Sequence, residues 1–500
     1  MRSRGPAFPR EALAGLAVLA ANLVIMAVEM LATRLLFPRF GNTVFTWSAI
    51  ITIIIAGLFL GYMAGGIAAE RSRDRWRLVG GELAASGLLV LAIPWLSDLL
   101  LGVGRPSVFP PLLGCFLVFG LPAACLAAVP PAAVGILVEE GRGPSLSAGL
   151  VSALSALGSI AGTLGATFVL IPAFGVRSLF VACGACLGVL SLAVLWAGQG
   201  RGRALGVLTL YALALPWAAR ASARPAPTTL VEPIFSRDSA YQLVRVFEHG
   251  SGEGLTRLLM LDSTQEGAMK IKTKEPVFAY TRAYRLFINA FGKAKGVRIL
   301  HIGGGAYAMP VRTAEAMPRA TVEVAELDPV VREAAERYFR ASEPPNLRTI
   351  LQDGRQALRG RENAYDGIFI DAYQGVYAIP FHLATREFFR EVSRSLRPDG
   401  IAALNLIGEA TEREGLLCSV TRTLESVFPR VELYPVHGFS KGAQNVIILA
   451  GKRQDPLADL MKGTGFPPGR AAGELSCAPG KPLTDDFAPV EWLVSRYLKP

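Results

Sequence analysis

Charged side chains are scarce in this chain of 500 residues: Asp, Glu, Lys and Arg make up 18% of it, while 51% is hydrophobic. A soluble globular protein ordinarily carries about 25% charged residues. The deficit is concentrated before about residue 220, where the sequence is nearly continuously apolar. The composition therefore excludes a single soluble domain and predicts a membrane domain followed by a soluble one.

Cysteine and histidine are also few, with six cysteines and four histidines. Cys183 and Cys186 have the spacing of a redox or metal motif, but they lie in an apolar segment where small residues pack between helices. The remaining cysteines form no pattern typical of a zinc site or of a disulfide framework. We therefore expect no bound metal and no disulfide framework.

The net charge is +11 at pH 7, a value that also occurs among nucleic-acid-binding proteins. Much of the excess lies beside apolar segments, as at Arg71, Arg73, Arg75 and Arg77. Arginines in such places orient membrane proteins and lie on the cytoplasmic side. We therefore expect these arginines to orient the protein in a lipid bilayer, and we expect no binding of nucleic acid.

Seven apolar segments are candidates to cross a bilayer, and all but the last reach the length of about 20 residues that a spanning helix needs. They cover residues 12–33, 46–69, 78–101, 111–138, 146–171, 176–197 and 204–219. The last is short and contains Pro216, so we predict an α-helical multi-pass domain over residues 1–220 with six or seven spans. Glu29 lies inside the first segment, where a carboxylate is costly unless it is paired or faces water. We expect it to pair with Arg34 or Arg39 or to line a polar cavity.

The second part of the sequence changes character. Residues 221–231 predict a Pro/Ala linker, and residues 232–275 predict a small antiparallel β subdomain with hairpins. From 276 to 500, strands alternate with helices, and strands are expected at 297–302, 321–327, 347–351, 366–371 and 400–407. That alternation predicts a doubly wound, Rossmann-like α/β domain of the class I methyltransferase type.

The strand that begins at Val297 runs into three glycines, Gly303, Gly304 and Gly305. Such a turn lets a ligand approach the backbone closely beside the start of the next helix. Glu326 follows about 20 residues later at the end of the next strand, where an acid typically binds the hydroxyls of a ribose. The turn and the acid together predict a nucleoside site.

Asp353 and Asp371 end two further predicted strands. An acid at Asp353 is placed to accept from an adenine amino group, and Asp371 is placed beside a transferred group. Each aspartate alone would be explained equally well as a helix cap. Because ligands of such sheets bind beyond the carboxyl ends of the strands, the acids together favour a site.

These residues resemble the spermidine synthase (polyamine aminopropyltransferase) family over about residues 239–450. The shared motifs are Ser239-Ala-Tyr241-Gln242, Leu261-Asp262 with Gln265, the glycine turn, Glu326-Leu-Asp328-Pro329, Asp353-Gly354 and Asp371. The apolar segments, with Leu483-Thr484-Asp485-Asp486 near the end, are similar to the membrane-fused branch of that family. Members transfer an aminopropyl group from decarboxylated S-adenosylmethionine to an amine and release methylthioadenosine.

The resemblance implies a role for each matching residue. It implies that the donor is bound by Gln242, Gln265, Gly303, Gly304, Gly305, Ala306, Glu326, Asp353, Gly354, Asp371, Tyr373 and Gln374. Asp371 would also bind the attacking amine and help to remove its proton, with Tyr241 and Tyr280 as further catalytic candidates. Tyr241, Gln242, Tyr280, Tyr373 and Gln374 are expected on the acceptor side.

Three departures from the family pattern bear on the substrate. Ala306 replaces an aspartate whose charge disfavours a carboxylate on the donor. Because that repulsion is absent here, we expect that intact S-adenosylmethionine, and not only the decarboxylated form, can bind. Gln374 and Arg282 each replace an acid. Because buried ammonium groups need carboxylate partners, we expect a spermidine synthase-like transferase or lyase that is not a true spermidine synthase.

Two alternatives are a methyltransferase that uses S-adenosylmethionine and a nucleoside-gated membrane sensor or transporter. The acceptor is unidentified: membrane fusion favours a membrane-delivered one, and a reaction without an acceptor is also open. A homodimer is compatible with the resemblance, because members commonly associate through the soluble domain.

Seven spans with the arginine cluster inside would place the soluble domain outside. Because the nucleoside donor is cytosolic, we instead predict an inner-membrane protein with its catalytic domain in the cytoplasm.

Overall fold

The computed structural model describes residues 10–40, 44–101, 112–198, 200–223, 232–262, 264–373 and 379–495. The chain divides into two compact units, Met1–Leu230 and Val231–Pro500. The predicted linker at 221–231 lies outside the described residues apart from its first three positions. Gln374, predicted on the acceptor side, also lies outside them.

Long apolar helices build the first unit, and within its described residues seven are long and apolar enough to cross a bilayer. They are α1 (Arg10–Phe40), α2 (Val44–Arg71), α3 (Arg75–Leu100), α4 (Leu112–Glu139), α5 (Pro144–Leu170), α6 (Val176–Ala197) and α7 (Arg201–Ala223). Two of them contain a π-helical turn, at Phe116–Gly120 in α4 and at Ala166–Leu170 in α5.

Small residues set the closest helix contacts in this unit. Gly57 and Gly61 of α2 lie against the backbone of α4, where an added side chain would collide with the carbonyl oxygens of Gly120 and Ala124. Removal of side-chain bulk lets apolar helices approach closely and gain van der Waals contact. The four-residue glycine spacing in the sequence therefore serves helix packing.

The second unit begins with a four-stranded antiparallel sheet. Its strands are β1 (Phe235–Asp238), β2 (Leu243–His249), β3 (Thr256–Leu261) and β4 (Thr264–Lys270), in that order, with a bulge at Leu259 and Met260. Its buried side chains share one apolar cluster with Tyr307 and Val311 of the α/β domain. The small sheet therefore packs directly on the predicted site.

The remaining strands form one eight-stranded sheet. They are β5 (Arg298–Ile302), β6 (Thr321–Glu326), β7 (Leu347–Leu351), β8 (Tyr365–Ile370), β9 (Leu396–Glu409), β10 (Arg430–Pro435), β11 (Ala443–Gly451) and β12 (Arg470–Ala471). Their order is β12-β10-β11-β9-β8-β5-β6-β7, with β5 to β9 parallel and β10 to β12 antiparallel at one edge. The predicted doubly wound α/β fold is confirmed.

Six helices accompany this sheet. They are α8 (Arg285–Phe291), α9 (Ala308–Ala316), α10 (Pro329–Tyr338), α11 (Arg386–Ser395), α12 (Leu416–Glu425) and α13 (Val490–Ser495). Short 3₁₀ turns cover Gly252–Gly254, Ala279–Tyr284, Gln356–Leu358, Phe381–Leu383, Ala458–Met461 and Ala472–Glu474. Because β5 lies between β6 and β8, the strand order reverses beside it, and such a switch point is where doubly wound sheets bind ligands.

One expectation about cysteines is wrong, because Cys418 and Cys477 form a disulfide. Folding places the segment after β12 beside α12, a proximity that cysteine spacing in the sequence does not reveal. The segment is also held there by hydrogen bonds: Arg422 donates to the carbonyl oxygen of Ala478, and the Leu483 N–H donates to Thr423 Oγ1 at 2.9 Å. The end of the second unit is thus fixed against the α/β domain.

Candidate active site

The glycine turn lies between the ends of β5 and β8. Gly303 and Gly305 have φ angles of +92° and +50°, which favour glycine. A Cβ atom on Gly303 would collide with the carbonyl oxygen of Asp371. Glycine is therefore required for both the conformation of the turn and its contact with the end of β8.

Glu326, at the end of β6, holds this turn in place. Its Oε2 accepts from the N–H of Gly304 at 3.0 Å, and its Oε1 accepts from the N–H of Asp328 at 2.9 Å. The side chain is buried, and burial raises its pKa to about 7. A carboxylate offers about four lone-pair positions. The backbone uses part of this capacity, and the rest can accept from the hydroxyl groups of a ligand.

Asp353 follows β7 and acts both as a cap and as part of the site. Its Oδ1 accepts from the N–H groups of Arg355 at 2.9 Å and Gln356 at 3.1 Å. Its Oδ2 lies 3.0 Å from Nε2 of His382, a residue that the sequence analysis did not identify. The hydrogen bond with His382 is the main reason why the pKa of Asp353 is lowered. The carboxylate therefore remains an acceptor at neutral pH.

Asp371 is the centre of a polar cluster at the end of β8. Asn405 Nδ2 donates to Asp371 Oδ1 at 2.8 Å, and Asn405 in turn accepts from Asn445 Nδ2 at 3.0 Å. Tyr280 shares a side-chain hydrogen bond with Asp371, and the Tyr373 hydroxyl donates to the carbonyl oxygen of Asn405 at 2.9 Å. Burial raises the pKa of Asp371 to about 6.

A second acid, Glu266 of β4, belongs to this cluster and was missed from the sequence. Thr264 Oγ1 donates to its Oε1 at 2.5 Å. Its pKa is raised to about 7, mainly by burial and then by the negative charges of Asp371 and Asp262. Gln265, which the motif selected instead, is exposed. Glu266 has no partner in β3 because the register of the two strands shifts there, so the usual alternation of side chains does not apply to this pair.

Ser239 and Gln242, the first and last residues of the Ser239-to-Gln242 motif, hold a loop in place through hydrogen bonds to Asp328. The carboxylate Oδ2 of Asp328 accepts from Ser239 Oγ at 2.5 Å and from Gln242 Nε2 at 3.4 Å, while Oδ1 caps α10 at the Val330 N–H. Gln242 thus anchors the loop before β2 to the start of α10. Tyr241 is 42% exposed, and its N–H donates to Ser239 Oγ.

Several predicted residues differ from expectation in their surroundings. Ala306 is 2% exposed and packs beside Gly267 in the apolar cluster under the small sheet. Gly354 is buried where a side chain would collide with Ile302. The Arg282 guanidinium lies over the ring of Phe466, with its centre 5.9 Å from the ring centroid. The added positive charge is therefore directed at an aromatic ring.

The cluster combines the groups that an amine reaction needs. Asp371 and Glu266 supply negative charge in a recessed site, and Tyr280 supplies a hydroxyl beside them. Such an arrangement can bind an ammonium group and accept its proton. Within the residues that the structure describes, no group of three or more His, Cys, Asp or Glu side chains could hold a metal ion.

Comparison with known proteins matches residues 286–454 to the spermine/spermidine synthase domain. Over 185 residues the chain is 34% identical to the polyamine aminopropyltransferase of Vibrio vulnificus, covering 34% of this chain and 58% of that protein. Over 116 residues it is 34% identical to the N-terminal histidine N-methyltransferase of Emericella nidulans, covering 22% of this chain and 20% of that protein. The chain thus matches less than two thirds of each relative.

A similar solved structure is that of a probable spermidine synthase from Corynebacterium glutamicum. Its TM-score is 0.43 at 20% sequence identity, and the match covers 50% of this chain and 98% of the other. The family match lies on β5 to β11 and contains the glycine turn, Glu326, Asp353 and Asp371. The carboxyl-terminal part of this chain is therefore similar to the spermine/spermidine synthase domain, as its motifs indicated.

Proposed function

We propose that this protein is a membrane-bound transferase or lyase that acts on S-adenosylmethionine or its decarboxylated form. The reaction takes place at the aminopropyl-side carbon next to the sulfonium and releases methylthioadenosine. The observation that carries the proposal is the cluster of Asp371, Glu266 and Tyr280 beside the glycine turn that Glu326 holds. The other predicted donor ligands, among them Asp353, belong to the same proposal.

The reaction requires little from the protein beyond positioning and removal of a proton. The acceptor's ammonium first loses a proton to the Asp371 carboxylate, and the neutral nitrogen then forms a bond to the carbon as the carbon–sulfur bond breaks. The electron pair stays on sulfur as a neutral thioether, and the product leaves as a substituted ammonium. Because a sulfonium is already an activated leaving group, orientation and general base catalysis suffice. In the version without an acceptor, which requires intact S-adenosylmethionine, the donor's own carboxylate attacks the same carbon, closes a ring and breaks the same carbon–sulfur bond.

The acceptor in this proposal carries one ammonium group. Glu266 and Asp371 together offer two carboxylates, whose pKa values are raised to about 7 and about 6 by burial. A buried polycation would need further acids, because each desolvated ammonium group requires a partner. A monoamine delivered from the membrane agrees with the replacement of two family acids by Arg282 and Gln374 and with the seven apolar helices of the first unit.

In the same proposal the seven helices span the inner membrane, and the catalytic unit faces the cytoplasm, where the donor is available. The second units of two copies associate as a homodimer. The alternative reaction is methyl transfer from S-adenosylmethionine, for which the similarity to the Emericella methyltransferase provides support. A nucleoside-gated sensor or transporter is a further alternative, for which the charged cavity of the first unit provides support.

The experiment that tests the proposal is identification of the nucleoside product. Purified full-length protein is incubated with each donor, with and without a panel of monoamines, diamines and polyamines. We expect methylthioadenosine, and faster release with a monoamine than with putrescine. Rapid conversion of putrescine would contradict the acceptor assignment, and adenosylhomocysteine would establish the methyltransferase alternative.

A further inference from the structure

The first unit contains a cavity of about 850 Å³. Its walls come from α2, α3 and α4, and the start of α7 contributes Arg203. Apolar side chains line most of it, among them Leu60, Leu78, Phe116 and Leu121. A volume of this size lies within the range of about 300–1,000 Å³ that small-molecule sites occupy.

Cationic groups lie at one end of the cavity, where α2 ends and where α3 and α7 begin. Arg73, Arg77 and Arg203 line this end. Arg77 pairs with Asp74, with Nε 2.6 Å from Oδ2. Among the residues that the structure describes, Arg73 and Arg203 form no ion pair or hydrogen bond through their guanidinium groups. Two arginines are therefore available to an anion.

A carboxylate lies deeper in the same cavity. Glu82 lines it, and its Oε2 is buried without a hydrogen-bond partner. Glu82 is five residues along α3 from Arg77, which corresponds to about 7.5 Å at 1.5 Å per residue. Helical side chains lean toward the amino terminus of their helix. The Glu82 side chain therefore extends back toward the arginines and shortens that distance.

These three features specify one kind of occupant. Arginine binds phosphate through two parallel hydrogen bonds, an unpaired buried carboxylate needs a donor, and apolar walls accept acyl chains. We propose that the cavity binds a phospholipid whose headgroup carries a primary ammonium, with phosphate at Arg73 and Arg203 and ammonium at Glu82. The site depends on insertion of the first unit in a bilayer, and it is independent of the reaction of the second unit.

Native mass spectrometry of the full-length protein in detergent tests the site with three lipid probes and one ion. Phosphatidylethanolamine carries both groups, phosphatidylglycerol lacks the ammonium, and phosphatidylcholine has no N–H donor. We expect the first to be retained about tenfold more strongly than the other two, equivalent to about 1.4 kcal/mol. Inorganic phosphate at millimolar concentration should not displace it. Equal retention of the three lipids, or displacement by phosphate, would overturn the proposal.

Variants separate the two ends of the cavity. Glu82→Gln should abolish the preference for phosphatidylethanolamine over phosphatidylglycerol, and Arg73→Gln with Arg203→Gln should weaken retention of both. Arg71→Gln is the matched control, because Arg71 is exposed at the end of α2 and does not line the cavity. A preference that survives Glu82→Gln, or an equal loss in Arg71→Gln, would refute the assignment.

A further variant blocks the cavity without a change in charge. Gly81 lines it, and a Cβ atom added there meets no atom within 4 Å. Gly81→Leu should fill the space and exclude all three lipids while the helix remains intact, since leucine is a better helix former than glycine. The thermal midpoint shows that each variant is folded. Undiminished lipid retention by folded Gly81→Leu would exclude this cavity as the site.

Discussion

At the scale of single residues, Asp371 is expected to determine the rate. Asp371→Asn keeps the shape of the side chain and its contact with Asn405 but removes the base. General base catalysis contributes about 10²–10⁴-fold, so the turnover number should fall by that factor. Calorimetry should show a much smaller loss of donor affinity than of turnover, because the acid acts mainly on the amine.

Asp366 provides a matched control on the same strand. It lies at the start of β8, where its carboxylate pairs with Arg397 at 2.8 Å and accepts from the Arg298 N–H at 2.8 Å. Asp366→Asn should lower stability but leave the turnover number of folded protein unchanged. An Asp371→Asn enzyme that works as fast as Asp366→Asn would remove Asp371 from the mechanism.

The pH dependence of the rate follows from the same cluster. The pKa of Asp371 is raised to about 6 and that of Glu266 to about 7, mainly through burial. Both acids must be ionised to hold an ammonium group, and a raised pKa means that they become protonated below these values. The specificity constant should therefore rise with pH between about 5.5 and 8 and then level off.

Glu266→Gln is expected to alter this profile in a defined way. The upper part of the rise should disappear, while the part governed by Asp371 near pH 6 remains. Stopped assays across the pH range would measure this. A flat profile in the original protein would show that neither carboxylate titrates during binding of the amine, and an identical profile in both proteins would exclude Glu266.

The residue scale also shows where sequence reasoning succeeds and fails. Strand ends and glycine spacing place Glu326, Asp353 and Asp371 at one edge of a parallel sheet, because the carboxyl ends of its strands lie together. They do not settle which of Gln265 and Glu266 faces that edge. The bulge at Leu259 and Met260 shifts the pairing of β4 by one residue, and no local sequence signal reveals it.

At the scale of elements, the glycine turn carries a testable structural claim. Gly303→Ala meets two costs: a positive φ angle, about 1–2 kcal/mol for an L residue, and a collision with the Asp371 carbonyl. Gly360 has a φ of +72° with no atom within 4 Å of an added Cβ, so Gly360→Ala meets only the first. The free energy of unfolding, measured with denaturant, and the affinity for the donor should both fall further in Gly303→Ala than in Gly360→Ala. Equal effects would show that the contact between β5 and β8 is unimportant.

The segment after β12 is expected to support the donor side of the site. Arg355 follows Asp353 and bonds to both Asp485 oxygens, at 2.8 and 2.9 Å, and to Glu391. Asp485→Asn should loosen this support and raise KM for the donor about tenfold, with kcat nearly unchanged, an effect of about 1.4 kcal/mol.

The control for this variant is Asp459→Asn. Asp459 pairs with Lys462 at the surface, where both side chains are about 80% exposed, and such pairs contribute little. The kcat and KM of Asp459→Asn should match those of the original protein. If Asp485→Asn also left KM unchanged, the ion pair would have no part in donor binding.

At the element scale, helices and strands were predictable because their periodicities are local. The contact of the segment around Cys477 with α12 was not, because it joins residues 59 positions apart. The small sheet likewise appeared in the sequence as a separate subdomain, yet it shares its apolar cluster with the α/β domain. Long-range packing of this kind leaves little trace in a single sequence.

At the scale of the whole molecule, the side of the membrane that the second unit faces is the sharpest question. The proposed donor favours the cytoplasm, whereas seven crossings with the arginine cluster inside would favour the outer side. The disulfide between Cys418 and Cys477 also favours the outer side, because such bonds persist in oxidising compartments.

Thiol labelling in intact cells decides between these placements. Our proposal predicts that Cys418 and Cys477 are reduced in cells and react only with membrane-permeant reagents, and that external protease leaves the second unit intact. A Cys418→Ser, Cys477→Ser variant provides the background for both readouts. An oxidised pair, together with cleavage by external protease, would place the unit outside and exclude a cytosolic donor.

The central claim is that the second unit breaks the bond between the sulfonium sulfur and the aminopropyl-side carbon. The most direct measurement is mass spectrometry of the nucleoside formed by full-length protein in a single turnover with excess enzyme. Our account predicts methylthioadenosine from the original protein and its loss in Asp371→Asn. Adenosylhomocysteine as the product, or unchanged donor in the presence of every amine tried, would contradict it.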